Sequence, residues 1–327
     1  MSLLLSSPAS AETLPGKFQD PDITAAGERR ARVPLRQLET LWINTGSLCN
    51  ITCVNCYIES SPSNDRLVYL SAAEVRQYLE EAKNMGAREI GFTGGEPFLN
   101  SELPDMLADT LGLGFSALVL TNAMQPMLRP KVKSRLMELN RQYRHALTLR
   151  VSLDHYTKAL HEAERGSNTW TKTLEGIGWL IENGFKVAIA GRTCWGETEA
   201  EARAGYAEMF AAQRWPLDAS DPDVTVLFPE MDGLHDVAEI SEACWTLHGI
   251  DPSTMMCAST RMVVKRKGAS APAVVPCTLL PYAPEFEMGE TLSTARKADG
   301  GMFDQGAIKL CHSHCAKFCV LGGGSCS

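Results

Sequence analysis

The chain has 327 residues, enough for about two domains at roughly 150 residues each. Its 31 Lys and Arg and 39 Asp and Glu give a net charge of −8, and its composition, 44% hydrophobic and 21% charged, is that of an ordinary globular protein. This charge balance argues against a partner nucleic acid, and the sequence has no apolar run near the roughly 20 residues of a membrane span. We therefore expect neither nucleic acid nor membrane as a partner.

Residues 1–38 precede the first regular pattern and are predicted to be an N-terminal tail or an outer strap. Their beginning, MSLLLSSPAS, lacks the basic region of a secretory signal, so we expect a cytoplasmic protein. In a reducing compartment the eleven cysteines are not expected to form disulfides. Because most of them fall into one group near residue 50 and another after residue 256, they indicate metal binding.

Between residues 39 and 228, short apolar strands alternate with amphipathic helices, the pattern of an α/β fold with a parallel sheet. The predicted strands are 41–44, 89–92, 116–120, 147–153, 186–190 and 224–227, and the predicted helices lie near 71–85, 101–111, 131–141, 169–183 and 198–212. Ser71 with Glu74 has the spacing of a capping box, and Ser101 is the predicted cap of the second helix. Gly86 and Gly184 suit helix ends.

Three cysteines, Cys49, Cys53 and Cys56, follow the first predicted strand with three and then two residues between them. Three thiolates this close together can hold one side of an iron–sulfur cube and leave its fourth iron open to a substrate. A structural zinc site takes four protein ligands, so a zinc loop completed by a distant cysteine or histidine is the alternative.

Polar groups are predicted to meet at the carboxyl ends of the strands, which is the site face of a barrel. The second strand ends in Gly94-Gly95-Glu96-Pro97, where the glycines allow close backbone approach and carbonyls and a carboxylate are expected to face an ammonium group. The later strands end near four further candidates for ligand contact: Asn122, Ser152, Asp154 and Arg192. The alternatives are a turn for Asn122, a cap for Asp154 and an ion pair for Arg192. His155 is a candidate base, and Arg165 is expected to be structural.

Residues 39–228 resemble the radical S-adenosylmethionine (radical SAM) superfamily. The resemblance rests on the Cys-x3-Cys-x2-Cys motif, which Tyr57 follows, and on Gly94 to Glu96. The resemblance implies a partial (β/α)6 TIM-type barrel and a [4Fe-4S] cluster held by Cys49, Cys53 and Cys56, whose free iron chelates SAM. Gly94, Gly95 and Glu96 would contact the amino group of SAM, and residues such as Asn122, Ser152 and Asp154 its ribose and carboxylate, or the substrate.

The resemblance also implies a reaction. An external electron donor such as flavodoxin or ferredoxin reduces the cluster, SAM is cleaved, and the 5′-deoxyadenosyl radical takes a hydrogen atom from the substrate. The protein then oxidises or rearranges that substrate, and its own task is positioning and the exclusion of water. A non-catalytic iron–sulfur or zinc scaffold is the alternative of a different class.

After a bridging segment, 229–256, residues 257–327 are predicted to be a small cysteine-rich C-terminal domain. Cys257 and Cys277 bracket a predicted hairpin that turns at Lys267-Gly268, which brings the two thiols together. Four more cysteines follow: Cys311, Cys315, Cys319 and Cys326. A regular helix would separate Cys311 from Cys319 by about 12 Å, so either two neighbours share a site or the segment is not a regular helix. The basic residues 261 and 265–267 are interpreted as a solvated hairpin tip.

This region resembles the SPASM and twitch extensions of radical SAM enzymes, which carry auxiliary clusters, although its later cysteine spacings differ from theirs. Six cysteines favour one auxiliary [4Fe-4S] cluster, held by Cys257, Cys277 and two of the last four, with Cys315 and Cys319 as first choice. A second, incompletely ligated cluster and a zinc site with His312 or His314 remain alternatives.

The substrate stays open between a peptide and a small molecule. The short segment before the first strand argues mildly against a fused peptide-recognition domain and more firmly against a cobalamin domain. Gly322 to Gly324 are similar to the glycine ending of molybdopterin-precursor synthases, but the residues after them and the cysteine spacings differ. No catalytic residue beyond the cluster and SAM site is predicted.

Overall fold

The computed structural model describes residues 16–229 and 236–321, and its centre is an eight-stranded sheet. The order across this sheet is β7-β6-β5-β4-β3-β2-β8-β9. All neighbours are parallel except β9, which runs antiparallel to β8. The strands are β2 (Thr40–Asn44), β3 (Glu89–Thr93), β4 (Ser116–Thr121), β5 (Leu147–Ser152), β6 (Lys186–Arg192), β7 (Thr225–Phe228), β8 (Thr260–Val264) and β9 (Ala273–Val275). The predicted α/β class and partial barrel are confirmed.

Helices follow the strands and cover the outer face of the sheet. They are α1 (Ala72–Asn84), α2 (Leu103–Gly112), α3 (Gln125–Leu128), α4 (Pro130–Gln142), α5 (Lys158–Arg165), α6 (Thr169–Glu182), α7 (Glu199–Gln213), α8 (Glu242–His248) and α9 (Leu292–Ala295). The five predicted helices are present, whereas α3, α5 and α9 were not expected. Within the described ranges, no helix is long and apolar enough to cross a membrane.

The local signals at the helix ends have mixed outcomes. Ser71 and Glu74 form the predicted capping box at the start of α1. Gly86 and Gly184 adopt the left-handed backbone expected at helix ends. The predicted cap at Ser101 is wrong, because α2 begins two residues later. There the Asn100 Oδ1 accepts a hydrogen bond from the Glu102 N–H at 3.0 Å and holds the turn before the helix.

Alternation along the strands gives the sheet two faces. Residues such as Leu41, Ile43 and Ile90 pack outward in the core between sheet and helices. Trp42 packs inward with Leu118 and Met262, inside the barrel. Gly91 lies opposite Trp42 in the strand register, and a Cβ there would come within 2.4 Å of the indole ring. The large indole therefore requires glycine on the neighbouring strand.

The predicted hairpin around Lys267-Gly268 is present as β8 and β9. Because β8 pairs with β2, the hairpin extends the barrel sheet. The expected solvated basic tip is wrong for Arg261, whose side chain is 1% exposed. The other three basic side chains pair with separate acidic partners: Lys265 with Glu74, Arg266 with Glu287 and Lys267 with Asp65. They therefore do not form one free patch.

A second, three-stranded antiparallel sheet joins the two ends of the described chain. It has the order β1-β11-β10, with β1 (Arg32–Val33), β10 (Phe303–Asp304) and β11 (Ala307–Lys309). Arg30, just before β1, is fully buried and pairs with Glu239 at 2.6 Å. Residues 16–33 therefore pack against the C-terminal part of the fold. The division at residues 38, 228 and 256 stays a prediction.

Candidate active site

The loop after β2 brings the three predicted cluster ligands to one cavity of about 210 Å³ at the carboxyl ends of the strands. Cys49 is buried, and Cys53 and Cys56 are partly exposed. The Ser60 N–H donates to the Cys56 Sγ at 3.3 Å. Burial raises the pKa of Cys49 to about 12 and that of Cys53 to about 11. These thiols are neutral at pH 7, so a metal that binds them must displace their protons.

The two glycines after β3 let this strand lie directly against the cysteine loop. A Cβ on Gly95 would lie 2.1 Å from the Leu48 carbonyl oxygen, and one on Gly94 would lie 2.5 Å from the Gly46 carbonyl oxygen. The Gly95 N–H donates to that same Gly46 oxygen at 2.9 Å. Both glycines also line the cavity. The two glycines thus allow the end of β3 to pack closely against the loop that carries the cysteines.

The Glu96 carboxylate does not face the cavity, in contrast to the sequence-based expectation. It is 1% exposed and accepts hydrogen bonds from the Thr121 hydroxyl and the Asn122 N–H, both at 2.8 Å. Burial raises the pKa of Glu96, against the opposing effect of these hydrogen bonds. Its carboxylate therefore ties the end of β3 to the end of β4, which leaves the main chain of Gly94 and Gly95 as the part of the motif that lines the cavity.

The polar residues at the later strand ends do meet at the cavity. The predicted residues that line it, besides the cysteines and glycines, are Tyr57, Asn122, Ser152, Asp154 and Arg192. The Asn122 Nδ2 lies 4.0 Å from the Cys49 Sγ. The site also contains Arg150, which the resemblance placed among the strand-end positions for SAM or substrate, and Glu164 and Arg165, which sequence reasoning did not assign to the ligand.

Two of these residues have ionic partners. Asp154 accepts a hydrogen bond from the Arg165 Nε at 2.6 Å, and the Arg192 Nη1 lies 2.7 Å from the Glu164 carboxylate. The ion pair considered for Arg192 is therefore present. The stretch Glu164-Arg165-Gly166 was the available sequence signal for these partners, but α5, which carries them to the cavity, was not predicted.

His155 is not a base in this cavity. Its Nδ1 accepts a hydrogen bond from the Thr157 N–H at 2.9 Å, which places the proton on Nε2, 3.0 Å from the Glu197 carboxylate. Burial lowers the pKa of His155. Both ring nitrogens are therefore used in holding the loop after β5, and the histidine is not among the residues lining the cavity.

A second, smaller cavity collects four of the C-terminal cysteines: Cys257, Cys277, Cys315 and Cys319. Cys257 precedes β8, Cys277 follows β9, and the last two lie on a π-helical segment, Cys315–Val320. The remaining wall is mainly apolar, with residues such as Met256, Leu280 and Ile308. This is the set of four thiols that the sequence analysis placed first.

The other two C-terminal cysteines have different outcomes. Cys311 precedes the π-helical segment, and its Sγ faces the Phe18 and Asp20 carbonyl oxygens at 3.4 Å each. It points toward the N-terminal segment and is not among the residues lining the second cavity. Cys326 lies outside the described residues, as do Gly322 to Gly324.

The two cavities share a wall. Leu279, two residues after Cys277, lines both of them, and Thr278 lines the first. Farther along the same segment, the Tyr282 hydroxyl donates to the Ile58 carbonyl oxygen at 2.8 Å. The C-terminal region is therefore part of the first site as well as the framework of the second.

In the described part of the chain, no three Cys, His, Asp or Glu side chains are close enough to hold a single metal ion. The cysteines line the walls of their cavities. A tetrahedral zinc ion needs its sulfur ligands at about 2.3 Å from one centre, whereas an iron–sulfur cube offers a separate iron to each thiolate. The donor sets fit cubes better than single ions.

A partial barrel whose first strand-to-helix loop presents three cysteines beside a Gly-Gly strand end defines a class of cluster-dependent enzymes. Residues 43–203 match the family model described as the Radical SAM superfamily. Over these residues, just under half of the chain, the protein matches a superfamily of enzymes that use a [4Fe-4S] cluster and SAM as cofactors.

Two curated relatives show the range of similar proteins. The chain is 28% identical over 142 residues to a probable GTP 3′,8-cyclase of Sulfolobus acidocaldarius, a match that covers 43% of this chain and 42% of the relative. It is 25% identical over 169 residues to the antilisterial bacteriocin subtilosin biosynthesis protein AlbA of Bacillus subtilis, covering 51% of this chain and 35% of the relative. The chain thus spans less than half the length of both relatives.

Solved structures share the fold at low sequence identity. Streptococcus suis SuiB bound to S-adenosylmethionine has a TM-score of 0.59 at 14% identity, over 81% of this chain and 67% of that one. The protein anSMEcpe with bound AdoMet has a TM-score of 0.57 at 15% identity, over 80% of this chain and 78% of that one. The likeness establishes the fold.

Proposed function

We propose that the protein reductively cleaves SAM to a 5′-deoxyadenosyl radical, which takes a hydrogen atom from a peptide substrate, and that an auxiliary [4Fe-4S] cluster assists electron transfer. The observation that carries this proposal is the meeting of Cys49, Cys53 and Cys56 with the Gly94-Gly95 main chain in one cavity. A protein that only stored or carried a cluster would not need the surrounding pocket of polar strand ends.

Each part of the first site has a task in this proposal. The three thiolates hold the cluster, which supplies the electron for SAM cleavage when bound. The main chain of Gly94 and Gly95 receives the amino group of SAM. Ser152 and Asn122 offer hydrogen bonds to the rest of SAM or to the substrate. The Asp154–Arg165 pair presents a fixed dipole at the cavity wall, because both side chains are largely buried.

The second site supports an auxiliary cluster. Four thiols from three chain segments surround a mainly apolar cavity that keeps water from the cluster. Leu279 lines both cavities, so the two sites are neighbours. This proximity supports electron transfer from a substrate radical to an auxiliary cluster.

A peptide substrate is favoured by the relatives and by the shape of the sheet. AlbA is named for bacteriocin biosynthesis, and SuiB has been seen bound to its precursor peptide SuiA. Among the described strands, β7 and β9 are the two free edges of the main sheet, so the barrel is open at its side. Phe228 of β7 and Leu279 after β9 lie at the cavity from these two edges. A chain longer than the cavity can therefore enter laterally.

The test separates the two clusters by substitution. Anaerobically reconstituted Cys53→Ala protein should lose SAM cleavage and retain about four irons per chain at the C-terminal site. Cys257→Ala protein should still cleave SAM but fail to turn over substrate. Cys244→Ala is the control, since Cys244 is not among the residues lining either cavity. Wild-type turnover by the Cys257→Ala protein would overturn the auxiliary role, and equal loss of iron from both sites in Cys53→Ala protein would indicate one shared cluster.

The substrate class has its own experiment. An extract of perdeuterated cells that carry the gene is divided into a peptide fraction and a nucleotide fraction, and each is incubated with protein, dithionite and unlabelled SAM. We expect mass spectrometry to detect deuterium in 5′-deoxyadenosine only with the peptide fraction, and protease treatment of that fraction to abolish it. Deuterium transfer from the nucleotide fraction would instead favour a substrate like that of the cyclase relatives.

A further inference from the structure

Arg261 is a buried cation beside the second cysteine site. It lies on β8, four residues after Cys257, and its side chain is 1% exposed. Its Nη1 donates to the carbonyl oxygens of Cys257 and Thr260, both at 2.7 Å, and its Nη2 to that of Gly306 at 3.4 Å. Its Nε has no hydrogen-bond partner in the described part of the chain. The guanidinium is thus held by neutral carbonyl groups.

No carboxylate compensates this charge among residues 16–229 and 236–321. The ionisable side chains that Arg261 faces are those of Cys257 and Cys277, and a guanidinium keeps its charge in proteins. Arg30 shows the usual arrangement in the same protein, because its equally buried guanidinium pairs with Glu239 at 2.6 Å. Burying a charge without a counter-ion costs free energy of folding. The neighbouring cysteine site is therefore where we look for the negative charge that compensates Arg261.

We propose that Arg261 is the counter-charge of the second cysteine site. Its positive charge stabilises the thiolate-ligated cluster and raises the reduction potential of that cluster. This inference rests on the auxiliary cluster of the proposed function. Four thiolates give the loaded site a negative charge, and each added electron increases it. A fixed guanidinium in a dry, low-dielectric region favours the more negative state. Arg261 is therefore a positioning residue for charge, with no contact to substrate required.

The experiment uses the full chain with Cys49, Cys53 and Cys56 replaced by alanine, so that iron and EPR signals report only the second site. In this background, Arg261→Met removes the charge and Arg261→Lys keeps it. Arg30→Met is the matched control, because it removes an equally buried guanidinium that already has a carboxylate partner, Glu239. The readouts are iron retained against a chelator, the reduction potential from EPR-monitored titration, and thermal unfolding of the metal-free protein.

We expect Arg261→Met to lower iron retention at least tenfold and to shift the ratio of oxidised to reduced cluster at least tenfold toward the oxidised form. For a one-electron couple this is a potential lowered by about 59 mV or more. Arg261→Lys should stay within about threefold of the parent on both measures. Arg30→Met should destabilise the metal-free and the loaded protein equally and leave the potential unchanged.

The two possible failures are distinguishable. If the variant with Cys49, Cys53 and Cys56 replaced by alanine binds no iron and sulfide, the proposed auxiliary cluster does not exist. The role of Arg261 is then overturned as well. If the cluster forms but Arg261→Met and Arg261→Lys show the same potential, or if Arg261→Met destabilises metal-free and loaded protein equally, the auxiliary cluster stands and the counter-charge role is overturned.

Discussion

At the scale of single residues, Glu164 holds the cysteine loop by three separate contacts. Its carbonyl oxygen accepts from the Val54 N–H at 2.8 Å. Its carboxylate accepts from the Asn55 N–H at 2.9 Å and from the Asn55 Nδ2 at 3.1 Å, and it pairs with Arg192. One side chain therefore joins the end of α5, the cysteine loop and the end of β6.

Glu164→Gln should loosen this loop, because the new amide removes the charge that pairs with Arg192 and replaces an acceptor with a donor facing Asn55. We expect a loss of about 1–3 kcal/mol in the free energy of unfolding. Iron at the first site should be lost to a chelator several times faster, with the second site unchanged. Glu162→Gln on the same helix is the control, since Glu162 has only a 3.4 Å contact with the Trp170 N–H. Equal rates of iron loss from the Glu164→Gln and Glu162→Gln proteins would show that Glu164 does not hold the cysteine loop.

His161 on α5 sets part of the acid sensitivity of the fold. It is fully buried against Trp170, and in the described part of the chain neither ring nitrogen has a hydrogen-bond partner. Burial, aided by the charge of Arg165, lowers the pKa of His161 to about 4. Between pH 6.5 and 4 the unfolded chain therefore binds a proton that the folded protein does not, so stability falls as the pH drops through this window.

His161→Phe should remove this contribution, which amounts to roughly 3 kcal/mol at most, and keep the ring contact with Trp170. Urea unfolding at pH 7 and at pH 5 measures it. The wild-type protein should lose more stability than the variant between these two pH values. The same loss in both proteins would show that His161 is already protonated in the folded state, or that it never titrates in the unfolded one.

At the scale of elements, one buried ion pair, between Arg30 and Glu239, ties the N-terminal segment to the segment before α8. Arg30→Met would leave the Glu239 carboxylate buried without its cation, and breaking such a pair costs about 3–5 kcal/mol. Thermal unfolding of the metal-free protein checks this. Replacing Arg29, whose pair with Glu242 is exposed, should change stability by no more than about 1 kcal/mol. If Arg30→Met lowers the stability as little as the replacement of Arg29 does, the buried ion pair contributes little to the fold.

The long elements were predictable from sequence because their apolar spacing is sustained. The strands of the barrel and helices such as α1 and α6 follow the expected period of two or of about 3.6 residues. Helix α5 was missed because KALHEAER is short and has few apolar positions. It carries Glu164 and Arg165, so the ion pairs of the site were missed with it.

Some side-chain directions could not be read from local sequence. The Glu96 carboxylate turns to β4 because Thr121 and Asn122 lie at the end of the neighbouring strand, a consequence of sheet register. Cys311 turns to the carbonyl groups of residues 18 and 20, almost 300 positions away in the chain. Such contacts depend on tertiary structure, whereas the three-cysteine spacing and the Gly-Gly strand end indicated the first site directly.

At the scale of the whole molecule, the two cysteine sites belong to one continuous framework. Because β8 extends the sheet beside β2, the segment after β9 reaches the first cavity, and Leu279 lines both sites. The C-terminal region is therefore part of the framework of both cavities.

The proposed function is tested by anaerobic reconstitution followed by iron, sulfide and zinc quantitation, and then by incubation with dithionite and SAM. We predict about eight irons per chain, two cubes, together with the formation of 5′-deoxyadenosine. Zinc in place of iron, or iron without any cleavage of SAM, would contradict it.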